Sequence, residues 1–530
     1  MADIVSAVAG WPGLKSGRYV IALGIAAVLT AACGAGPDTT GMVRDTLIFA
    51  APADATILDP HNTTDTESDQ VIGMVFEGLI AFDDDMKIVG RLAETWEVAE
   101  DGVTWTFHLH SGVTFHDGTP FNAEAVRLNF ARVLDPDQKH KRLPLFVMLD
   151  RVEVADEHTV RIVTKYPFGA FEPTMAHISS TIVSPAVAEQ FGTDFGKSAP
   201  AVSGTGPYRV TSWKKDQEII LERVEKHWRL TPPMRRLIYR PIPEGAARVL
   251  ALETGDVDVI SRVPPPELTR LEALGSINVL RTVSIGAQQF RFNLTKKPLD
   301  DPRVRKAISY AIDRRAIVEQ LVTGFATPST SALTPIMRGY ANLGEIPYDV
   351  ERSRALLREA GLPNGFKTKI TTTPRYPMGV ELAEVIAAQL KRVGIIAEIQ
   401  VLDWGTMVQF WQGLPPEKNP QEIFIMGAGA STADADWGLR PIFQTAPTNE
   451  NNYGYYSNAE FDRVIEAAMR ETNEAKRLAL YKRAQEIVYL DDPGAIWLFD
   501  NFYIVAARKG VEGVSPSPLG VVTFEHAVIR

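Results

Sequence analysis

Helix-like and strand-like patterns alternate along nearly the whole of this chain, and the alternation restricts the folds that it can adopt. Apolar residues recur at helical spacing from Glu381 to Val393, and an alternating strand pattern from Ile396 to Leu402 follows directly. Interleaved helices and strands favour α/β lobes. The 530 residues, of which 45% are hydrophobic, suffice for more than one buried core, so we expect two or three lobes.

Other segments carry the same two signals. Helices are predicted over Tyr348–Leu362, Glu460–Met469 and Glu474–Tyr489, and Asp349 and Asn473 are positioned to cap the first and the last of these. Further strands are predicted over Asp45–Ala51, Trp105–Leu109, Val152–Val154, Thr159–Val163, Ile219–Arg223 and Asp256–Ile260.

The charge balance and the cysteine count exclude two classes of site. The chain has 65 acidic and 55 basic residues, a formal net charge of -10, and so lacks the basic excess that binding to phosphate backbones requires. We therefore expect no nucleic-acid partner. Its one cysteine, Cys33, excludes an internal disulfide and any zinc or iron–sulfur site built from cysteines.

The N-terminal segment has the features of an export signal. Lys15 and Arg18 precede an apolar run from Tyr19 to Leu29, and small residues follow that run. The run is too short for an ordinary membrane span. Residues 1–32 are therefore predicted to be a cleaved signal peptide.

The position of Cys33 predicts a lipid anchor. It directly follows Ala31 and Ala32, a pattern that resembles the bacterial lipobox, in which the cysteine is lipidated and becomes the new N-terminus. Residues 33–44, rich in Gly, Pro and Thr, would then form a flexible tether. Ordinary cleavage beside an incidental cysteine is the alternative.

Neither catalysis nor a resident cofactor is indicated. The chain has no HExxH helix, no GxSxG elbow and no glycine-rich dinucleotide loop followed by an acid, so we expect no enzyme and no cofactor. His108 and His110 share one face of a predicted strand, and His116 lies close by. A metal site at these three histidines is the alternative hypothesis, and structural hydrogen bonding is the favoured one.

Four sequence blocks occur in a recognisable order. They are Leu92–Asn122, with the stretch FHDGTPF, Gly204–Tyr208 (GTGPY), Phe292–Arg314 (FNLTKKPLDDPRVRKAISYAIDR) and Tyr348–Phe366. Gly204 and Gly206 in the second block are predicted to form a tight turn. Together the blocks resemble the dipeptide, oligopeptide and nickel-binding family of bacterial extracellular solute-binding proteins, family 5.

The resemblance implies a class II periplasmic-binding-protein fold with two α/β lobes, an extra subdomain in lobe I and a hinge between the lobes. The ligand would be enclosed between the lobes as they close. The predicted boundaries are 45–82 for the first part of lobe I, 83–200 for the extra subdomain, 201–291 for the continuation of lobe I, 292–492 for lobe II and 493–530 for the C-terminal part of lobe I.

One stretch points to a branch within the family. Gly427–Phe443, GAGASTADADWGLRPIF, resembles the glutathione-binding branch. Many peptide-binding relatives have an aspartate at the position of Ser431, and that aspartate takes the α-ammonium group of the ligand. The serine here puts that contact in doubt, and Asp434 or Asp436 would serve in its place.

The opposite charge of the ligand has its own expected partner. Arg375, in TTTPRYPMG, resembles the arginine that takes the C-terminal carboxylate in dipeptide-binding relatives, although Arg-Tyr-Pro replaces Arg-Pro-Tyr here. A guanidinium can grip a carboxylate through two parallel hydrogen bonds. The cleft wall is expected to include aromatic side chains, for which the candidates are Trp404, Trp411, Trp437 and Trp497.

These features predict a monomeric lipoprotein on the outer face of the cytoplasmic membrane or in the periplasm. Its expected role is capture of a small peptide, with glutathione as the specific candidate, for the permease of an ABC importer. The alternatives are a nickel or metal-chelate binder and a peptide-sensing lipoprotein that signals without transport.

Overall fold

The computed structural model describes residues 44–376, 378–411, 414–415, 418–445 and 451–530. The predicted signal peptide, Cys33 and nearly all of the predicted tether lie outside these residues. Within the described part of the chain, every helix is too short or too polar to cross a bilayer.

Fourteen α-helices occur in the described residues. They are α1 Thr66–Val75, α2 Ala123–Leu134, α3 Phe171–Met175, α4 Pro185–Phe191, α5 Gly245–Thr254, α6 Leu268–Glu272, α7 Pro302–Ala311, α8 Arg314–Gln320, α9 Val350–Glu359, α10 Gly379–Lys391, α11 Trp404–Trp411, α12 Ala435–Phe443, α13 Ala459–Arg470 and α14 Glu474–Glu486.

The strands of the same residues are numbered likewise. They are β1 Thr46–Ala51, β2 Ile80–Phe82, β3 Ile88–Gly90, β4 Ala93–Val98, β5 Thr104–Leu109, β6 Leu149–Asp156, β7 Thr159–Thr164, β8 Tyr208–Lys214, β9 Glu218–Arg223, β10 Arg236–Pro241, β11 Val259–Ser261, β12 Ile277–Phe292, β13 Ala326–Pro328, β14 Lys367–Thr372, β15 Ile396–Val401, β16 Ile423–Gly429, β17 Ala495–Arg508, β18 Val511–Glu512, β19 Ser515–Pro516, β20 Val522–Thr523 and β21 Val528–Ile529.

The capping residues act as expected. The side chain of Asp349 accepts a hydrogen bond from the backbone N–H of Arg352, and that of Asn473 accepts one from the N–H of Lys476. The helix predicted to reach Tyr489 ends at Glu486 and continues as a π-helical turn, Ile487–Asp491.

The predicted strand Asp256–Ile260 begins only at Val259. The preceding residues complete the end of α5, where Gly255 adopts a φ of +85° and Asp256 accepts a hydrogen bond from Thr254 Oγ1 at 2.9 Å. The chain therefore needs several residues to turn before it can extend.

Glycine is needed at positions 204 and 206 for close backbone packing, not for the predicted tight turn. Neither has a positive φ, but a Cβ on either glycine would lie within 2.7 Å of backbone atoms of Val75. Gly206 N–H also donates to the Val75 carbonyl at 2.8 Å. The glycines let two backbone segments approach each other closely.

Two long strands join the two lobes. The first half of β12, Ile277–Val283, pairs with the last half of β17, Phe502–Arg508. After a break in the register, Ala287–Arg291 of β12 pairs with Ala495–Asp500 of β17. Beyond the irregularity β12 pairs with β16, whereas the far end of β17 pairs with β11. The strand order is β15-β14-β16-β12-β17-β11-β1-β10-β9-β8, with β13 beside β17.

The hydrophobic cores follow this division. One core of lobe I gathers side chains from β1, α1, β8, β9 and β10, and a four-stranded sheet of order β4-β5-β7-β6 packs a separate core against α2. Lobe II buries apolar side chains on both faces of its sheet. The domain boundaries drawn from the sequence remain predictions.

Candidate functional site

The ends of three parallel strands define one edge of the lobe II sheet. Strand β14 pairs in parallel with both β15 and β16, so their carboxyl ends lie at the same edge. The segments that follow these ends contain Arg375, Trp404 and Ser431 respectively. Ligands of open α/β sheets bind at such edges, because the loops there are free to carry side chains of varied chemistry.

Arg375 and Trp404 contact each other. Arg375 is exposed, and its Cζ lies 4.4 Å from the centroid of the Trp404 ring, a cation–π contact. Trp404 in turn meets Tyr376 and Trp411 edge-on, with centroid distances of 6.0 and 5.3 Å. The structure thus brings together two of the predicted site residues and holds the guanidinium on an aromatic surface.

Ser431 and Asp434 lie in the segment between β16 and α12. Ser431 is half-buried, whereas Asp434 is completely buried and caps α12 by accepting from the backbone N–H of Asp436 at 2.9 Å. Its other oxygen pairs with Arg477 at 3.4 Å. Burial raises the pKa of Asp434 to about 6, against the opposing effect of Arg477.

Asp436 is buried and also has a cationic partner. Its two oxygens accept from Nε and Nη2 of Arg440, one helical turn later, at 2.8 and 2.7 Å. This bidentate pair gives each oxygen of the carboxylate a cationic hydrogen-bond donor. Both predicted ammonium partners therefore sit in internal ion pairs.

One cavity, which we name the subdomain cavity, lies where Trp437 meets the extra subdomain. Trp437 lines this cavity and also packs against the core of the subdomain. The lining residues are Pro144, Leu145, Val147, Met148, Tyr166, Phe168, Ala170, Thr174, Thr432, Asp436, Trp437 and Arg440.

The subdomain and lobe II also touch through backbone. Gly169 N–H donates to the Met469 carbonyl at 2.9 Å, and Arg477 Nη1 donates to the Gly169 carbonyl. A Cβ at position 169 would lie 2.4 Å from the carbonyl oxygen of Glu471. Only glycine allows this approach, so the two parts of the molecule meet in a contact without spare room.

A small, narrow cavity, the hinge cavity, lies beside the hinge strands. Trp497, one of the candidates for the cleft wall, lines it, and so does Thr334, whose buried hydroxyl has no hydrogen-bond partner in the described protein. The lining residues are Ile285, Ala287, Gln289, Ala332, Leu333, Thr334, Met337, Ala428, Gly429, Ala430, Gly438, Ile442 and Trp497.

Two charged residues near this cavity were not predicted. Arg291 and Asp500 are 3% and 1% exposed. Arg291 Nε donates to Gln289 Oε1 at 2.7 Å, and Asp500 Oδ1 accepts from Ser329 Oγ at 2.6 Å. The sequence signal that could have found them is a charge inside an apolar strand, in QQFRFN and IWLFDN.

The three histidines do not form one site. His108 lies 3.4 Å from Glu97, and His110 lies against Trp228 with a centroid distance of 5.0 Å. His116 Nε2 is 2.8 Å from the Gly206 carbonyl, and burial lowers its pKa to about 4. Among the described residues, no three His, Cys, Asp or Glu side chains are grouped closely enough to hold a metal ion.

Known proteins share this architecture along most of the chain. Residues 87–450 match the family model described as bacterial extracellular solute-binding proteins, family 5 Middle. The chain is 33% identical to the glutathione-binding protein GsiB of Pectobacterium atrosepticum over 513 residues, 96% of this chain and 98% of the relative. It is also 33% identical to the glutathione-binding protein GsiB of Escherichia coli K12, with the same coverage of both chains.

A solved structure of a periplasmic binding protein has the same fold. The periplasmic binding protein DppA from Helicobacter pylori, in complex with the peptide STSA, is 28% identical and superposes with a TM-score of 0.78 over 91% of this chain and 98% of its own. The two-lobed class II periplasmic-binding-protein fold expected from the sequence is thereby confirmed. With the family model covering most of the body and the relatives nearly all of the chain, this protein belongs to the bacterial extracellular solute-binding proteins of family 5.

Proposed function

We propose that this chain captures a small peptide-like solute, with glutathione as the specific candidate, and delivers it to the permease of an ABC importer. The observation that carries the proposal is the cavity at the hinge, which is lined by hinge strand β12 and by the carboxyl end of β16. The relatives that are named glutathione-binding proteins align over 96% of the chain and support the choice of ligand.

The charges of the ligand need partners in this proposal, because burying an unpaired charge is costly. Arg375 holds a ligand carboxylate: it is exposed at the carboxyl edge of the sheet and is held on Trp404. Ser431 offers a neutral hydrogen bond. Asp434 or Asp436 meets the ammonium group in the hypothesis drawn from the sequence, which requires one of them to share its carboxylate with a cation that it already binds.

The aromatic residues complete the proposed cleft. Trp497 lines the hinge cavity, and Trp437 lines the subdomain cavity. Trp404 supports Arg375 through their cation–π contact. The protein binds and releases its ligand unchanged, as a monomer without enzymatic activity. It is exported and held at the membrane through a lipid on Cys33.

Calorimetric titration of the purified protein tests the proposal. We expect saturable binding of glutathione, and native mass spectrometry of the protein as purified should find a retained peptide-like ligand whose covalent structure is unchanged. Binding of α-linked short peptides without binding of glutathione would reject the ligand assignment. Binding of neither would reject the function.

Arg375→Ala tests the role of the arginine within the same titrations. Removing one member of a buried charge pair typically costs about 2–5 kcal/mol, so the affinity for glutathione should fall about tenfold or more. Ser431→Ala should have a much smaller effect, and Ser431→Asp should shift preference toward α-linked peptides. Arg161→Ala, at an exposed position on β7, is the control. An unchanged affinity in Arg375→Ala would disprove its role.

A further inference from the structure

The buried acids of the described structure are paired, with one exception. Six of the seven have a cationic side chain within 4.0 Å, and these are Asp54, Asp59, Glu77, Asp258, Asp434 and Asp436. Asp500, the seventh, has the Ser329 hydroxyl as its hydrogen-bond donor and no described cation beside it. Burial raises its pKa to about 7, which reflects the lack of a compensating positive charge.

The buried arginines show the same contrast. Arg248, Arg305, Arg314 and Arg477 each donate to at least two acceptors, most of them backbone carbonyls. Arg291 donates one hydrogen bond, from Nε to Gln289, and forms no salt bridge with a described carboxylate. Burial lowers its pKa to about 10. A guanidinium has five N–H donors, so most of the donors of Arg291 remain available.

The two exceptional residues share one face of the same ladder. In strand β12, Ala287, Gln289 and Arg291 alternate onto one face, and Asp500 lies directly opposite Ala287. Ala287 and Gln289 line the hinge cavity. Neither Arg291 nor Asp500 lines the cavity itself, but each adjoins it on this face: Asp500 lies across the ladder from Ala287, and Arg291 lies two residues beyond Gln289.

We propose that Asp500 and Arg291 are the two charged ends of the ligand site, Asp500 taking the ammonium group of a zwitterionic ligand and Arg291 taking its carboxylate. This inference rests on the proposed function and specifies the ligand class. It assigns the ammonium group to Asp500 in place of Asp434 or Asp436, and it leaves Arg375 to the second carboxylate of a glutathione-like ligand. A ligand that supplies both opposite charges removes the cost of leaving each side chain buried and unpaired. Ligands with only one of the two charges leave the other cost in place.

The spacing of the two residues limits the length of the ligand. Ala287 and Arg291 are four residues apart on one strand, which corresponds to about 13 Å. An extended chain advances at most about 3.6 Å per residue, and the arginine side chain shortens the remaining gap. A ligand of two to three residues with free ends fits this spacing, and glutathione falls in that class.

Blocked ligands test the two ends separately. Glutathione and trialanine are each titrated in three forms, unmodified, with the amine acetylated and with the C-terminal carboxylate amidated. Wild-type protein should bind an unmodified form about tenfold or more tightly than either blocked form. Asp500→Asn should lose the discrimination against the acetylated form and keep that against the amidated form. Arg291→Gln should show the reverse pattern, and Arg291→Lys should restore part of the preference for a free carboxylate.

This crossed pattern separates a binding role from a folding defect, because a misfolded variant loses all forms alike. If Asp500→Asn does not fold, the two Arg291 variants decide the arginine end. Asp500→Asn that still rejects the acetylated ligand, while Asp434→Asn or Asp436→Asn accepts it, would overturn the assignment and leave the proposed function standing. Wild-type protein that binds none of the unmodified ligands would overturn both.

Discussion

At the scale of single residues, the partners of a buried charge indicate what it does. Asp434 and Asp436 looked free to take an ammonium group in the sequence, yet Arg477 and Arg440 already pair with them. Such pairs hold α12 in place, since one aspartate caps the helix and the other binds a side chain one turn later. Asp500 has no such partner, and its isolation leads to a prediction that does not depend on the ligand.

Asp500→Asn should change how stability depends on pH in the absence of ligand. The pKa of Asp500 is about 7 in the folded protein, against an ordinary value of 3.8 for an aspartate side chain. Between these pH values the folded state binds a proton that the unfolded state has released, so folded wild-type protein loses stability as pH rises. Asparagine does not titrate, so the free energy of unfolding of the variant should rise relative to that of wild type between pH 5 and pH 8.

Thermal unfolding at a series of pH values measures this gain. The full effect at pH 8 is expected to be about 2–4 kcal/mol in the free energy of unfolding, since each pKa unit corresponds to about 1.4 kcal/mol. A difference between variant and wild type that stays constant across this pH range would show that Asp500 does not carry the shifted titration.

At the scale of elements, the contact between the subdomain and the helices of lobe II depends on the missing side chain of Gly169. The loop before α3 approaches the end of α13 and the start of α14 through two hydrogen bonds to the backbone of this glycine. A two-lobed binding protein needs such contacts to favour the state in which the ligand is enclosed, because a ligand stabilises that state only by its differential affinity for it.

Gly169→Ala should weaken ligand binding without a comparable loss of fold stability. The added Cβ would lie 2.4 Å from the Glu471 carbonyl oxygen and 2.6 Å from Arg477 Cδ. Overpacking of this kind costs about 1–3 kcal/mol, and the cost falls on the state in which the two parts touch. Affinity for glutathione, measured by calorimetry, should therefore drop about fivefold or more.

Gly275→Ala is the matched control, since a Cβ there meets nothing within 4 Å and the glycine has no positive φ. Small-angle scattering with and without ligand should show less compaction in Gly169→Ala than in this control. Equal affinities and equal compaction in the two variants would mean that the Gly169 contact plays no part in enclosing the ligand.

At the scale of the whole molecule, the described body has one continuous sheet that runs through both lobes. The long strands β12 and β17 belong to both lobes, so the hinge cavity lies on the path along which the lobes are joined. The predicted export signal and lipid anchor lie in the N-terminal residues, outside the described part of the chain.

Cys33→Ala should release the protein from the membrane. Two or more acyl chains on one cysteine suffice for stable anchoring, and loss of the thiol removes their attachment point. Fractionation of cells followed by immunoblotting should move the variant from the membrane to the soluble fraction, whereas Thr39→Ala in the predicted tether should remain membrane-bound. Full retention of Cys33→Ala, together with mass spectra that show no lipid on Cys33 of wild type, would contradict the predicted anchor.

Local patterns in the sequence were enough to predict the α/β class, the family, four of the fourteen helices and seven of the twenty-one strands in the described residues. The caps Asp349 and Asn473 and the strands β5, β7 and β9 are read from neighbouring residues, because capping and alternation act over a few positions. The resemblance then implied the two lobes. Trp497, a sequence candidate for the cleft wall, lines the hinge cavity, and its contact with ligand stays a prediction.

Only the tertiary structure decided which charges are already neutralised. Asp434 meets Arg477 across 43 positions, and Ser329 meets Asp500 across 171, and no local pattern encodes these distances. The alternation of β12 predicts that the Arg291 side chain is buried. Whether a carboxylate lies close enough to pair with it depends on the strands and helices packed against that face. Pairing between side chains far apart in sequence is a property of the folded chain, because the field at a buried charge is set by everything that surrounds it.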